Sequence, residues 1–235
     1  MASLAAFKKL YQLAAKRKGG EQTLEKLLGQ PANDQAVAKL SDDRILSAFT
    51  KQIFKSGFVW RVVENKWSNF ESVFFQFAIE KILMMSEEML EQKASDIRII
   101  RNYTKVKTIK ANAQMIVEHQ IETKQRFAQF IADWPSDNII GLWAYLKKHG
   151  QRLGGNTGAY ALRALGKDTF ILSSDVEMYF RAHNIIDGGL HSKKSFVAIQ
   201  HHFNEWQQQT GYSLAQLSRL IAFAHGDNHI QVSTN

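Results

Sequence analysis

The residues with the clearest chemical potential lie between Leu153 and Glu177. The run Leu153-Gly154-Gly155-Asn156-Thr157-Gly158 crowds three glycines into a turn between two helical patterns. Such a turn exposes backbone N–H groups to a phosphate oxygen. A Cβ would crowd that approach, and the dipole of the following helix favours an anion. Gly154, Gly155, Thr157 and Gly158 are therefore candidate phosphate-binding residues. Downstream, Ser174 and Glu177 have the spacing of a capping box, which predicts that Asp175 sits in a first helical turn and is kept ionised by the macrodipole. A fixed carboxylate can stabilise a developing positive charge or deprotonate water. Asp175 is the candidate catalytic group, against the plainer alternative of a helix-terminal charge.

These residues need helices to hold them. The helix before the turn spans Ile139 to His149, with Ile139, Leu142, Trp143 and Leu146 on one face. The helix after it runs from about Thr157 to Leu165 and stops at Gly166, so the hairpin occupies residues 139–166. Elsewhere, helices are predicted over Leu4–Arg17 and Glu21–Leu28, followed by a loop at Gln30–Gln35 broken by Pro31. Ser41 is read as the cap of a helix to about Phe54, and Gly57 as its break. Further helices are expected after Ser86, from Asn102 to Ile121, from Thr123 to Asp133, after Ser136, from Ser192 to Thr210, and from Ser213 to Ala224. His225 to Asn235 reads as a polar tail. Most of the rings between Phe49 and Phe77 are expected in a core.

Two prolines and many helix formers in 235 residues indicate an all-α chain. No apolar run reaches the roughly 18 residues that span a bilayer, and no secretory signal is recognisable, so a cytoplasmic protein is expected. The absence of cysteine excludes disulfides, thiol catalysis and cysteine-ligated metal. A formal charge of +8 suits a polyanionic partner.

The hairpin and its aspartate resemble those of the helix–hairpin–helix DNA glycosylases. In that superfamily the hairpin usually reads L-P-G-V-G and the aspartate opens a D-x-x-apolar pattern, as in Asp175-Val176-Glu177-Met178. From about Ser41 to Gly226 the chain resembles the DNA-3-methyladenine glycosylase I branch. The resemblance is carried by Gly57-Phe58-Val59-Trp60, the run WSNFESVFFQF from Trp67 to Phe77, Ile99-Ile100-Arg101-Asn102, Lys105 and Asn112-Ala113.

The resemblance implies a two-lobed helical glycosylase fold over 1–235, with discontinuous lobes and an N-terminal extension of about residues 1–40. It implies a monomer that takes double-stranded DNA containing a damaged base, flips the base out, and hydrolyses the bond to an alkylated adenine. Gln52, Phe58 and Trp60 stand in base-binding positions, and Arg101 and Lys105 in DNA-contacting ones. Gln52 replaces a glutamate, so an uncharged donor and acceptor stands where the family has a carboxylate. Aligning on Leu165-Gly166-Lys167 instead puts Ser173 in the aspartate's place. Thr157 replaces the last hairpin glycine, and Ala159 stands where bifunctional relatives carry a Schiff-base lysine, so no lyase activity is expected. The family's Cys/His zinc clip lacks its cysteines, and neither metal nor other cofactor is predicted. Two rival readings stay open: a non-enzymatic lesion-sensing DNA binder, and a glycosylase for another base.

Overall fold

A computed structural model of the chain describes residues 3–30 and 32–226. Pro31 and the tail from residue 227 onward, including His229, lie outside the described residues. The described residues form helices and no strand: α1 (Leu4–Arg17), α2 (Glu21–Leu28), α3 (Asp34–Ala38), α4 (Asp42–Lys55), α5 (Trp60–Val73), α6 (Ile79–Leu83) and α7 (Glu87–Ala94). They continue as α8 (Tyr103–Thr123), α9 (Phe127–Asp133), α10 (Ile139–His149), α11 (Asn156–Leu165), α12 (Ser174–Ala182), α13 (Lys193–Thr210) and α14 (Leu214–His225). None of these helices is long and apolar enough to cross a membrane.

Local chemistry sets most of the ends. Ser86, Asn102, Ser192 and Ser213 each accept a first-turn N–H, worth about 1 kcal/mol apiece. Gly166 and Gly211 stop α11 and α13 in the left-handed region. Four boundaries differ from expectation. Helix α3 begins inside the segment read as a loop. Ser41 makes no capping bond to α4, its hydroxyl meeting the Asp43 carboxylate instead. Lys124, left-handed at φ 59°, closes α8 and delays α9 to Phe127. Ser136 lies in a 3₁₀ turn, Ser136–Asn138, ahead of α10 and does not cap that helix.

The chain divides into two compact units. The middle unit, residues 34–134 and 141–167, is built around α4, which packs on α11, α8 and α5. Its ring-rich run is mainly core: Phe54 meets Phe70 at 4.6 Å, and Trp67 stacks on Phe70 at 5.0 Å and on Phe77 at 5.7 Å. Glu71 gathers this run by accepting from Arg44 (2.9 and 3.1 Å), Ser47 (2.6 Å) and the Trp67 indole (3.1 Å). At the end of α11, Lys167 is 1% exposed. Its ammonium donates to Ala132 O at 2.8 Å and pairs with Asp34 at 3.1 Å, tying α11 to α9 and α3.

The terminal unit takes in the described parts of residues 1–33, 135–140 and 168–235. Helix α14 packs on α1, α12 and α13, around Trp206, Phe170, Phe180 and Phe203, all fully buried. Asp168 holds the start of α14 by accepting from the N–H groups of Leu214 and Ala215, each at 3.0 Å. A capping box between Ser213 and Gln216 completes that end.

Candidate nucleic-acid interface

In the middle unit the hairpin is α10, a short loop and α11. The last turn of α10 carries Lys147, Lys148 and His149. The loop is pinned from beneath by Asn112 of α8, which is fully buried. Its Oδ1 accepts from Gln151 N at 2.8 Å, and its Nδ2 donates to Gln151 O at 3.1 Å. Asn112 thus replaces two backbone partners that a sharp turn cannot supply for itself. The next residue, Arg152, is exposed and left-handed at φ 58°.

The glycines divide by role. Gly155 is the N-cap of α11 at φ 58° and ψ −143°, with no side-chain cap, a conformation open essentially to glycine alone. Gly158 is buried, and a Cβ there would stand 2.4 Å from Leu153 O. Its missing side chain therefore serves the close packing of loop on helix, where the sequence had suggested the approach of a phosphate. A Cβ on Gly154 would come within 3.2 Å of the Lys147 stem. Thr157 is half-exposed in the first turn of α11.

The turn at Gly57, φ 78°, presents Phe58, Val59 and Trp60 outward at the start of α5. Trp60 is 47% exposed and Phe58 38%, so neither belongs to the core that holds the other rings. The Trp60 indole stands edge-on to Tyr160 of α11, ring centres 5.1 Å apart and planes at 89°. This contact joins the hairpin's second helix to the ring-bearing turn. Lys55 sets its ammonium 4.9 Å from the Trp60 ring centre. Glu64 lies between two lysines, pairing with Lys51 and Lys55 at 2.5 Å each. Those ammoniums hold the Glu64 carboxyl below its usual range.

Gln52 occupies the last full turn of α4, three residues before Lys55 and so on its side of the helix. The residue is 8% exposed, yet its amide has no hydrogen-bond partner among the described residues and is not sealed from solvent. Buried amides are nearly always satisfied. One that opens outward unpaired is set to receive a partner.

Lys105 is used differently from what the resemblance implied. It is 6% exposed, and its ammonium donates to Phe54 O at 3.2 Å and to Ser56 O. It closes the C-terminal carbonyls of α4 while lying 4.5 Å from the Phe58 ring centre. Burial, with Arg152 nearby, pulls its pKa below the ordinary lysine value. Arg101 is exposed ahead of α8, with no ion-pair partner among the described residues.

Asp175 belongs to the terminal unit. Ser173, not Ser174, caps α12: its hydroxyl accepts from Val176 N at 3.3 Å. The chain stays extended through Ser173, φ −69° and ψ 167°, because Phe170, Ile171 and Leu172 are drawn into the core before it. Glu177 pairs with Arg181 at 2.6 Å and forms no capping box. Asp175 still falls in the first turn, half-buried, its carboxylate without a hydrogen bond to any described residue. His225 lies near it. Burial, with His183 and Arg17, lowers the His225 pKa, and the Asp175 charge opposes that pull.

Sequence reasoning missed Tyr160, Lys55, Arg152 and the clamp role of Asn112. Only Lys55 left a signal, its three-residue offset from Gln52. Among the described residues no three His, Cys, Asp or Glu side chains gather as a metal site would require.

Residues 34–149 match the methyladenine glycosylase family. A search of curated proteins found no match. A 3-methyladenine DNA glycosylase I structure is 24% identical over 52% of this chain and 78% of its own, with a TM-score of 0.45. The Staphylococcus aureus 3-methyladenine DNA glycosylase I is 19% identical over 59% of this chain and 79% of its own, TM-score 0.48. The Methanocaldococcus jannaschii 8-oxoguanine glycosylase/lyase, solved with a 15mer DNA containing 8-oxoguanine, is 14% identical over 91% of this chain and 95% of its own. Its TM-score of 0.55 makes the likeness one of fold. The matched span is just under half of the chain, and over it the chain is similar to the methyladenine glycosylase family.

Proposed function

We propose that the protein is a monofunctional DNA glycosylase of base excision repair that flips an alkylated adenine out of duplex DNA and hydrolyses its N-glycosidic bond. The observation that carries this reading is the half-exposed Trp60 indole, set edge-on to Tyr160, on the unit that also bears the unpartnered Gln52 amide, the hairpin and the family match. An exposed indole gives an extruded base a stacking surface, and an amide offers one donor and one acceptor to its edge. The backbone at Gly154, Gly155 and Thr157 holds a phosphate without reading sequence, with Arg152 and Arg101 adding charge. Phe58 extends the stacking surface, and Lys105 acts by fixing the turn that carries it.

Asp175 is the assigned carboxylate. Its support is a first-turn position, half-exposure and freedom from the cap, which Ser173 supplies. As the bond breaks, its electron pair leaves with the base and positive charge grows on the sugar. The carboxylate stabilises that charge and takes the proton of the water that attacks C1′. The product is an abasic site. Ala159 offers no amine for a Schiff base, so the strand stays intact. The reading implies a monomer working on duplex DNA in the cytoplasm. Single-turnover base release from methylated duplex tests it. Wild type should release methyladenine, and Asp175→Asn should be slower by about 10²–10⁴-fold at undiminished affinity. A wild type in excess that binds the duplex but frees no base would instead be a lesion-binding module.

A further inference from the structure

Resting on that reading, we infer that the ring-bearing surface at Phe58 and Trp60, the base recess of that reading, is built for an uncharged alkylated adenine in preference to a cationic one. The argument is the sign of the charge around the rings. The ammonium of Lys55 stands 4.9 Å from the Trp60 ring centre, and that of Lys105 stands 4.5 Å from the Phe58 ring centre. A third, Lys51, lies 5.4 Å from the Trp67 ring centre. The carboxylate recorded against these lysines is Glu64, shared between Lys51 and Lys55, which leaves the three ammoniums two positive charges in excess. Gln52, three residues before Lys55 on α4 and without a hydrogen-bond partner among the described residues, is neutral.

A quaternised purine such as N3-methylated adenine in DNA would bring its fixed positive charge to an indole whose face already serves an ammonium. Like charges about 5 Å apart cost a few kcal/mol at an effective dielectric of about 20, and position 52 adds an amide, not a second carboxylate beside Glu64, to offset them. The leaving-group chemistry points the same way. When the bond to a cationic base breaks, the departing electron pair neutralises it. When the bond to an uncharged base breaks, the pair makes an anion, which a nearby ammonium and an amide N–H stabilise. Cations in the recess hinder the first departure and assist the second.

The test compares two duplexes that differ at one central base: 3-methyladenine, a cation, and 3-methyl-3-deazaadenine, its uncharged isostere, both on 2′-fluoro sugars that resist hydrolysis. Binding is read by fluorescence anisotropy for the full chain. Wild type should hold the uncharged duplex at least as tightly as the cationic one. Gln52→Glu should shift the ratio toward the cation by about tenfold, and Lys55→Met should shift it the same way. The inference is overturned by a wild-type preference of tenfold or more for the cationic duplex. It is equally overturned if both variants leave the ratio within twofold, or if neither lesion binds better than undamaged duplex. Failure of the enzymatic reading is separate. A protein that discriminates the pair as stated but frees no base from hydrolysable alkylated DNA keeps the charge preference and loses the catalysis.

Discussion

Asn112→Ala removes the side chain that pins the hairpin loop, and its cost can be worked from the contacts. Two hydrogen bonds to Gln151, at 2.8 and 3.1 Å, are lost, at about 1 kcal/mol each. Gln151 is exposed, so water re-satisfies its N–H and carbonyl and no full desolvation penalty is added. The vacated space of a fully buried amide adds about 1 kcal/mol of lost packing. The expected destabilisation is therefore about 2–3 kcal/mol, read as a shift of the urea midpoint by circular dichroism. Asn112→Asp separates the two bonds, since a carboxylate accepts from Gln151 N but cannot donate to Gln151 O. Functionally, a loosened hairpin should weaken duplex binding and flatten its dependence on salt, because fewer phosphates are held at once. A stability within about 0.5 kcal/mol of wild type would refute the clamp. Undiminished affinity in a folded Asn112→Ala protein would refute the view that a pinned loop is what grips the strand.

Trp60→Ala should cost little stability, because the indole is 47% exposed, yet slow base release about 5- to 150-fold, the worth of one stacking contact of roughly 1–3 kcal/mol; equal effects on folding and release would speak against stacking. Gly155→Ala should lose about 1–3 kcal/mol from its φ of 58°, measured by thermal melting, whereas Gly154→Ala meets only the flexible Lys147 stem and should lose less. His202 is 7% exposed with its Nε2 sealed and unpartnered, and burial, opposed by Glu205, lowers its pKa to about 4. The unfolded chain therefore takes up this proton first. The contribution is intact above about pH 6.5 and is lost as pH falls toward 4, by up to about 3 kcal/mol. Subtracting the pH–stability profile of His202→Phe from that of wild type should isolate this slope, and a flat difference would refute it.

Much of the helical frame was legible because its signals are local. Leu4–Arg17, Glu21–Leu28 and Ile139–His149 end where an apolar stripe meets glycine or a basic turn. Ser86, Asn102, Ser192 and Ser213 cap as their types suggest. Tertiary contacts decided the rest. Phe75, Gln76 and Phe77 all take positive φ, from 55° to 60°, which no propensity favours; Arg44 holds that turn by donating to Gln76 O at 2.6 Å while binding Glu71. The inward course of Lys105 was hidden for the same reason, since nothing in a lysine reveals that two carbonyls from another helix await it. Tyr160 gave no signal, because its neighbour, Trp60, is 100 positions earlier in the chain. At Ser173 and Ser174 two serines in a row made the cap ambiguous by one residue, and burial of the preceding apolar run decided it.

The last turn of α4 is anchored by its main chain. Lys105 grasps the carbonyls of Phe54 and Ser56, while Phe54 itself is fully buried. Gln52 and Lys55 therefore ride on a scaffold whose shape does not depend on what they are. Exchanging them alters the electrical character of the recess at small thermodynamic expense, so lesion preference can drift through substitutions at positions 52 and 55 while the architecture is inherited unchanged.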